Sequence, residues 1–249
     1  MKPPALLAAL AALTIAGTAA AQTPGADPNS KQPFGPPVED RLIVSHLIVD
    51  QLEGRLREGG ASLRWDAQAW TGPDEWRLWF KTEGERSPSG ELRDGQAEAF
   101  FAKPITTFWN LQIGGRYDLD SRPGRGWGAL GVQGLAPGWL DVEATAYVGQ
   151  MGGAAKVKVS NDILLTNHLI LQPEAEVNAY TRDDRVRLIA SGISDLDAGL
   201  RLRYEVSRKF APYVGVAWEK KFGRTANLVR ASGESGDDVR FTVGLRTWF

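Results

Sequence analysis

The side chains that could do chemistry in this chain are mostly carboxylates spaced two apart. Glu174/Glu176 and Asp195/Asp197 are the densest pairs. Residues two apart share one face of a strand, so each pair presents two acids to the same space. Asp66, Glu83, Glu98, Glu143, Glu205 and Glu219 fall on similar polar faces, interspersed with Arg77, Lys81, Arg116, Arg201, Arg203, Lys221 and Arg246. Enclosed carboxylates attract hydrated cations and offer weak, exchangeable oxygen ligands, so these acids are expected to line a cation route centred on Glu174/Glu176 and Asp195/Asp197. The plainer expectation for most of them singly is mutual pairing in a polar network that fills a narrow barrel. Soft donors are few: the candidates are His46, His168 and Met151. Met151 is expected in a loop at one end and His168 at the other rim, separated by nearly the height of a barrel, about 25 Å, which excludes shared coordination. An enzyme needs a nucleophile, a base and an orienting group within reach. Two histidines give little choice of base, and Ser45 and His46, adjacent on a strand, point to opposite faces; no catalytic site is expected.

The elements that must position these acids are strands. From about Arg41 onward the period is two. Leu63, Trp65, Ala67 and Ala69 oppose Arg64, Asp66, Gln68 and Trp70; Leu140, Val142, Ala144, Ala146 and Val148 oppose Asp141, Glu143, Thr145 and Tyr147. The last segment, Val239 to Phe249, alternates in the same way and ends on an aromatic residue, as strands that close outer-membrane barrels do. No later apolar run reaches the roughly 20 residues of a helical span, so any membrane crossing must use strands. The pattern predicts an all-β, antiparallel up-and-down transmembrane barrel of about twelve strands, with ten as the alternative. The longer loops are expected at 57–61, 86–91, 119–126, 150–154, 181–194 and 224–237, and tight turns near Pro73, Pro104, Pro137, Asn167 and Lys209 on the opposite, periplasmic side. Nine tryptophans suit the aromatic girdles of such a barrel.

The N-terminal region is different. Lys2, an apolar run from Ala5 to Ile15 and the small residues Ala19, Ala20 and Ala21 read as a signal peptide, 1–21, cleaved before Gln22. Residues 22–40, with five prolines, two glycines and few apolar groups, read as a periplasmic linker, leaving 41–249 for the barrel. Lys2 is the one charge in the leader, so the mature chain carries 28 basic residues of the 29 against 30 acidic ones. That near balance argues against nucleic-acid binding. The absence of cysteine from an exported chain rules out a disulfide framework and cysteine-built metal sites.

Several stretches resemble the copper-resistance protein B family of Gram-negative outer membranes. They include Asp50-Gln51-Leu52-Glu53, Trp65-Asp66-Ala67-Gln68, Lys81-Thr82-Glu83-Gly84-Glu85 and the run from Leu130 to Pro137. Leu169-Ile170-Leu171-Gln172-Pro173, Ser191 to Asp195, Gly199 to Glu205, Phe210-Ala211-Pro212-Tyr213 and Trp218 to Gly223 extend the resemblance over Glu39 to Phe249. It implies a non-enzymatic barrel in the outer-membrane lipid that binds or passes copper ions, with periplasmic copper-handling proteins as candidate partners. A general small-solute porin or a structural barrel without copper specificity is the alternative, and a barrel hydrolase a more remote one. Members of that family often carry a Met- and His-rich segment before the barrel, suited to copper. The linker here contains neither residue, so the barrel itself would have to meet the ion.

Overall fold

Alternation with period two makes every segment amphipathic across its width, and a bilayer satisfies no free sheet edge. Both facts demand closure, and closure is what forms. The computed structural model describes residues 42–57, 60–120, 124–150 and 152–249. The expected leader, the linker, Arg41 and Met151 lie outside the described residues.

The strands are β1 (Val44–Arg57), β2 (Gly60–Gly72), β3 (Arg77–Arg86), β4 (Leu92–Pro104), β5 (Trp109–Asp118), β6 (Arg125–Ala136) and β7 (Leu140–Gly149). They continue as β8 (Gly152–Asn161), the two-residue β9 (Ile163–Leu164), β10 (Leu169–Tyr180), β11 (Gly192–Tyr204), β12 (Phe210–Lys221) and β13 (Asp237–Trp248). Among the described residues a single helix, α1 (Gly223–Ala231), precedes β13. Each strand pairs antiparallel with its neighbours, and β9 continues the edge of β8 against β10 beyond Asp162. Setting β9 aside, twelve strands of 10 to 14 residues form the wall, long enough for a tilted crossing of the hydrocarbon layer. The ring closes where β13 pairs with β1, and Phe249 exchanges backbone hydrogen bonds with Leu47 at 2.8 and 3.0 Å.

The apolar side of each strand faces outward, as the alternation predicts: Val148 is 69% and Phe241 68% exposed, with Phe80, Ile113, Leu130 and Val214 likewise exposed. The core is inverted. It is the lumen, and its buried side chains are largely polar: Gln51, Glu53, Arg55, Gln112, Arg201 and Arg203 among them. One apolar patch interrupts it, where Trp79, Phe100, Trp127 and Tyr147 pack together with Ala102 and Ala129. The expectation that the tryptophans form girdles therefore needs correction. Trp79 and Trp127 fall on lumen-facing positions of their strands and fill space inside.

The loop asymmetry is narrower than expected. At the end where Phe249 lies every turn is short, 73–76, 105–108, 137–139, 165–168 and 205–209. At the other end β1 and β2, like β7 and β8, follow one another within two residues, and the extra chain is concentrated in 181–191 and 222–236. These two loops pack on each other. Thr225 Oγ1 of α1 accepts the Ala190 amide at 2.9 Å, and Arg224 pairs with Asp183 at 2.5 Å. Below them Arg187 grips Asp120 through two bonds of 2.8 Å, and Asp184 meets Arg125. The Ser191 amide donates to Asp183 at 2.9 Å, a bond that holds this carboxyl below the ordinary range.

Glu53 is the most heavily coordinated acid of the interior. It takes Arg55 Nε at 2.8 Å, Arg201 Nε at 2.9 Å and the Tyr213 hydroxyl at 2.9 Å, so it ties β1 to β11 and β12. Gly244 lies between Glu53 and Tyr213 in the ladder, and a Cβ there would come within 2.7 Å of both. Its missing side chain is what lets the tyrosine reach across β13. Glu53→Ala takes a shared carboxylate from two buried guanidinium groups and is expected to cost about 3–5 kcal/mol. The measurement is the urea midpoint of the barrel in detergent, followed by the heat-dependent gel shift of folded protein; an unchanged midpoint contradicts this assignment.

Candidate functional site

The candidate site is the lumen, and its chemistry is set by which residues each strand turns inward. β1 departs from strict alternation. A bulge at Val49/Gln51 against β2 puts both Asp50 and Gln51 inside. Asp50 accepts from Gln68 at 2.9 Å and Arg246 at 3.0 Å, while Gln51 donates to Glu174 at 2.7 Å and accepts from Arg201 at 3.0 Å. A bulge changes facing by one residue, which brings three consecutive polar functions, Asp50, Gln51 and Glu53, onto one wall.

From the terminal end inward the lumen has three levels. At the rim His46 lies between Trp70 and Trp248, with ring centroids 5.8 and 5.6 Å away, and Arg77 stacks over Trp70 at 4.4 Å. Next comes a vestibule, a cavity of about 360 Å³ lined by Asp50, Asp141, Asp162 and Arg246 among others and bounded further in by Lys156 and Lys158. Asp162, at the break between β8 and β9, accepts from Arg203 at 2.7 Å and Arg246 at 3.5 Å.

The third level is a waist of ion pairs that cross the lumen. Lys158 of β8 pairs with Asp66 of β2, six strands away in a ring of twelve and hence on the opposite wall. Lys156, two residues earlier, pairs with Glu83 of β3 at 2.8 Å. Arg55 holds Asp197 at 2.9 Å, Arg64 stands 3.9 Å from the same acid, and Lys81 holds Glu143 at 2.7 Å. Towards the loop end Arg240 gathers Glu85, Glu219 and Asp238 at 2.8 to 3.0 Å. Lys221 joins Glu219 at 2.8 Å and Asp195 at 3.8 Å.

Asp66, Glu83, Glu98, Glu174, Glu176, Asp195, Asp197 and Glu219, all marked by the alternation, turn into this one space. Glu174 is tied to Arg201 at 3.3 Å and Lys158 at 3.6 Å; Glu98 accepts the Tyr147 hydroxyl at 2.6 Å. Glu205 sits apart, just beyond β11, where its amide bonds the His168 carbonyl at 2.8 Å; among the described residues its carboxylate joins none of the lumen pairs. His168 is exposed, with Nδ1 3.2 Å from the Glu205 carbonyl oxygen, so the two histidines have separate surroundings. Among the described residues no three His, Cys, Asp or Glu side chains are arranged to hold a metal ion. The lumen therefore offers oxygen donors, mostly spoken for by cations of the protein itself, of the kind that suits hard ions and fast exchange.

Sequence reasoning missed the lysines that close the waist. Lys156 and Lys158 alternate with Val157 and Val159 in the same period-two pattern as the other strands, and that signal would have found them. Asp50, Gln51 and Glu53 were beyond its reach, because a bulge in β1 breaks the alternation from which facing is read.

Comparison with known proteins agrees with this architecture. Residues 43–249 match the family described as Copper resistance protein B precursor. A Copper resistance protein B homolog of Pseudomonas syringae pv. tomato is 41% identical over 216 residues, covering 86% of this chain and 73% of its own. Copper resistance protein B of Escherichia coli is 38% identical over 232 residues, covering 91% and 78%. Among solved structures, the NanC porin superposes with a TM-score of 0.53 at 12% identity, over 81% of this chain and 98% of that one. The KdgM porin gives 0.50 at 13% identity, over 83% and 99%. At such identities the porins speak for the fold alone, that of an outer-membrane barrel, and the outward apolar band fits a lipid setting. Family coverage from the first strand to the last, with about two residues in five shared, places the chain in the copper resistance protein B family.

Proposed function

We propose that this copper-resistance barrel handles copper as cargo, giving the ion a path of exchangeable oxygen ligands through the lumen rather than a resident site. The observation that carries the reading is that Glu174, Glu176, Asp195 and Asp197 turn inward with Asp66, Glu83, Glu98 and Glu219, and that Asp66, Glu83, Glu98 and Glu174 line one cavity. Carboxylates attract a hydrated divalent cation, and their weak hold lets it leave. His168 stands apart from that path, His46 lies only at its rim between two tryptophan rings, and Met151 lies outside the described residues, so we assign the ion to the oxygens. The linker is taken to lie in the periplasm, where copper-handling proteins would meet the terminal end. A second reading has an observation of its own: most lumen acids already hold a lysine or arginine, which favours a structural barrel without copper specificity.

Cells with and without the gene separate the two. The copper reading expects tolerance and cell-associated copper to change; equality of both would sink it. Within the lumen, converting Glu174, Glu176, Asp195 and Asp197 to amides is expected to lower cation conductance in planar bilayers about twofold or more, and conductance equal to the parent protein would reject the route. Converting His46 and His168 to glutamine is expected to leave copper tolerance unchanged, because oxygen ligands carry the ion; lost tolerance would return the role to imidazole.

A further inference from the structure

The waist is crossed by two lysines and contains, among the described residues, an acid that belongs to none of the ion pairs given above. Lys158 reaches Asp66 across the full width of the barrel, and Lys156 reaches Glu83 at 2.8 Å on the neighbouring strand. Both start from β8 and point the same way. Glu176 stands beside them on β10, directly across the ladder from Lys158. It is 7% exposed, yet its Oε2 has no hydrogen-bond partner, and its other oxygen takes only the Asn178 amide at 3.0 Å. A buried carboxylate oxygen left open is costly unless a partner visits it. Cross-strand neighbours have Cβ atoms about 5 Å apart, well inside the reach of a lysine. Glu174, on the same strand, already lies 3.6 Å from the Lys158 ammonium.

We propose that Lys156 and Lys158 form a gate across the lumen, and that Glu176 is the anchor that receives an ammonium when the gate opens. In the closed state the two tethers span the space a hydrated cation must cross. To open it, Lys158 leaves Asp66 and folds back to Glu174 and Glu176 on its own side of the wall. No charge is unpaired along the way except Asp66, which then faces the passing cation as a ligand. The other charged groups around Glu176 are Arg64 and Glu83 from the far wall and Asp197 across the ladder on β11. Asp197 is held by Arg55, and Glu83 by Lys156, which leaves Glu176 as the acceptor with capacity to spare. The gate rests on the lumen being the path of the preceding reading, but its test uses no copper.

The experiment is conductance of the full chain in planar bilayers with potassium chloride as probe. The double substitution K156M/K158M removes both tethers; conductance is expected to rise about threefold or more, and the reversal potential in a salt gradient to shift towards cation selectivity, because Asp66, Glu83, Glu174 and Glu176 lose their counter-charges. E176Q keeps every ion pair described above and is therefore expected to fold as the parent does. It removes the receiving anchor, and openings are expected to become rarer by about tenfold. Parental conductance and selectivity in K156M/K158M would overturn the gate. If that variant does not fold, E176Q decides: parental opening frequency overturns the proposal. Loss of the gate with copper tolerance intact in cells would leave the copper reading standing, and unaltered tolerance on gene deletion with gated conductance would do the reverse.

Discussion

The rest of the structure depends on one constraint, that hydrocarbon cannot hydrogen-bond to a backbone. A sheet in lipid must satisfy every amide and carbonyl within itself, so its first and last strands have to meet. Here the meeting is made by β13 on β1 and runs to the last residue, Phe249, bonded to Leu47. Closure makes the apolar face of each strand an outer face. What remains inside must be polar in proportion to the alternation, because every outward leucine or valine has an inward neighbour. The inverted core, with Glu53, Arg55, Arg201 and Arg203 more deeply buried than Phe241 or Val148, follows from the closure and needs no separate cause.

A ring of twelve strands is wider than small side chains can fill. Long side chains with charged ends solve this by meeting in the middle. Lysine and arginine bring long apolar stems and a charge that needs a partner, and carboxylates on other strands supply it. Buried ion pairs contribute little net stability, since desolvation offsets attraction, but losing one member is expensive. Such a network is therefore specific in geometry without being rigidly locked. Lys158 has Asp66 opposite and Glu174 beside it, alternatives of similar chemistry, and a paired charge can move between them. An apolar filling such as the Trp79–Phe100–Trp127–Tyr147 patch has no comparable freedom. The barrel combines a fixed sector with one able to rearrange.

Much of this was legible in the sequence, for a physical reason. Side-chain period in a strand is two, without the drift of a helix, so Asp66 and Gln68, or Glu174 and Glu176, could be assigned to the lumen from spacing alone. The closing strand was legible because it too alternates up to Phe249. What could not be read is whatever depends on which strands face each other across the ring. The Lys158–Asp66 tie joins residues 92 apart in the chain, and no local pattern encodes it. The bulge that turns both Asp50 and Gln51 inward was equally hidden, since it is a break in the very regularity used for reading. Trp79 and Trp127 show the limit of composition: a tryptophan count suits a girdle, but facing decides where each ring goes.

The donor chemistry bears on what kind of copper handling the fold can support. A resident copper site would draw on sulfur and imidazole at close quarters, and among the described residues no cluster of three His, Cys, Asp or Glu side chains is arranged to hold a metal ion. Its oxygens are the wrong ligands for holding Cu(I) and adequate ones for passing a hydrated divalent ion. Tight binding would also defeat passage, since an ion must leave each site as readily as it enters. A path of carboxylates shared with lysines meets that requirement directly. The protein's own ammonium groups compete for the acids and weaken each stop along the way.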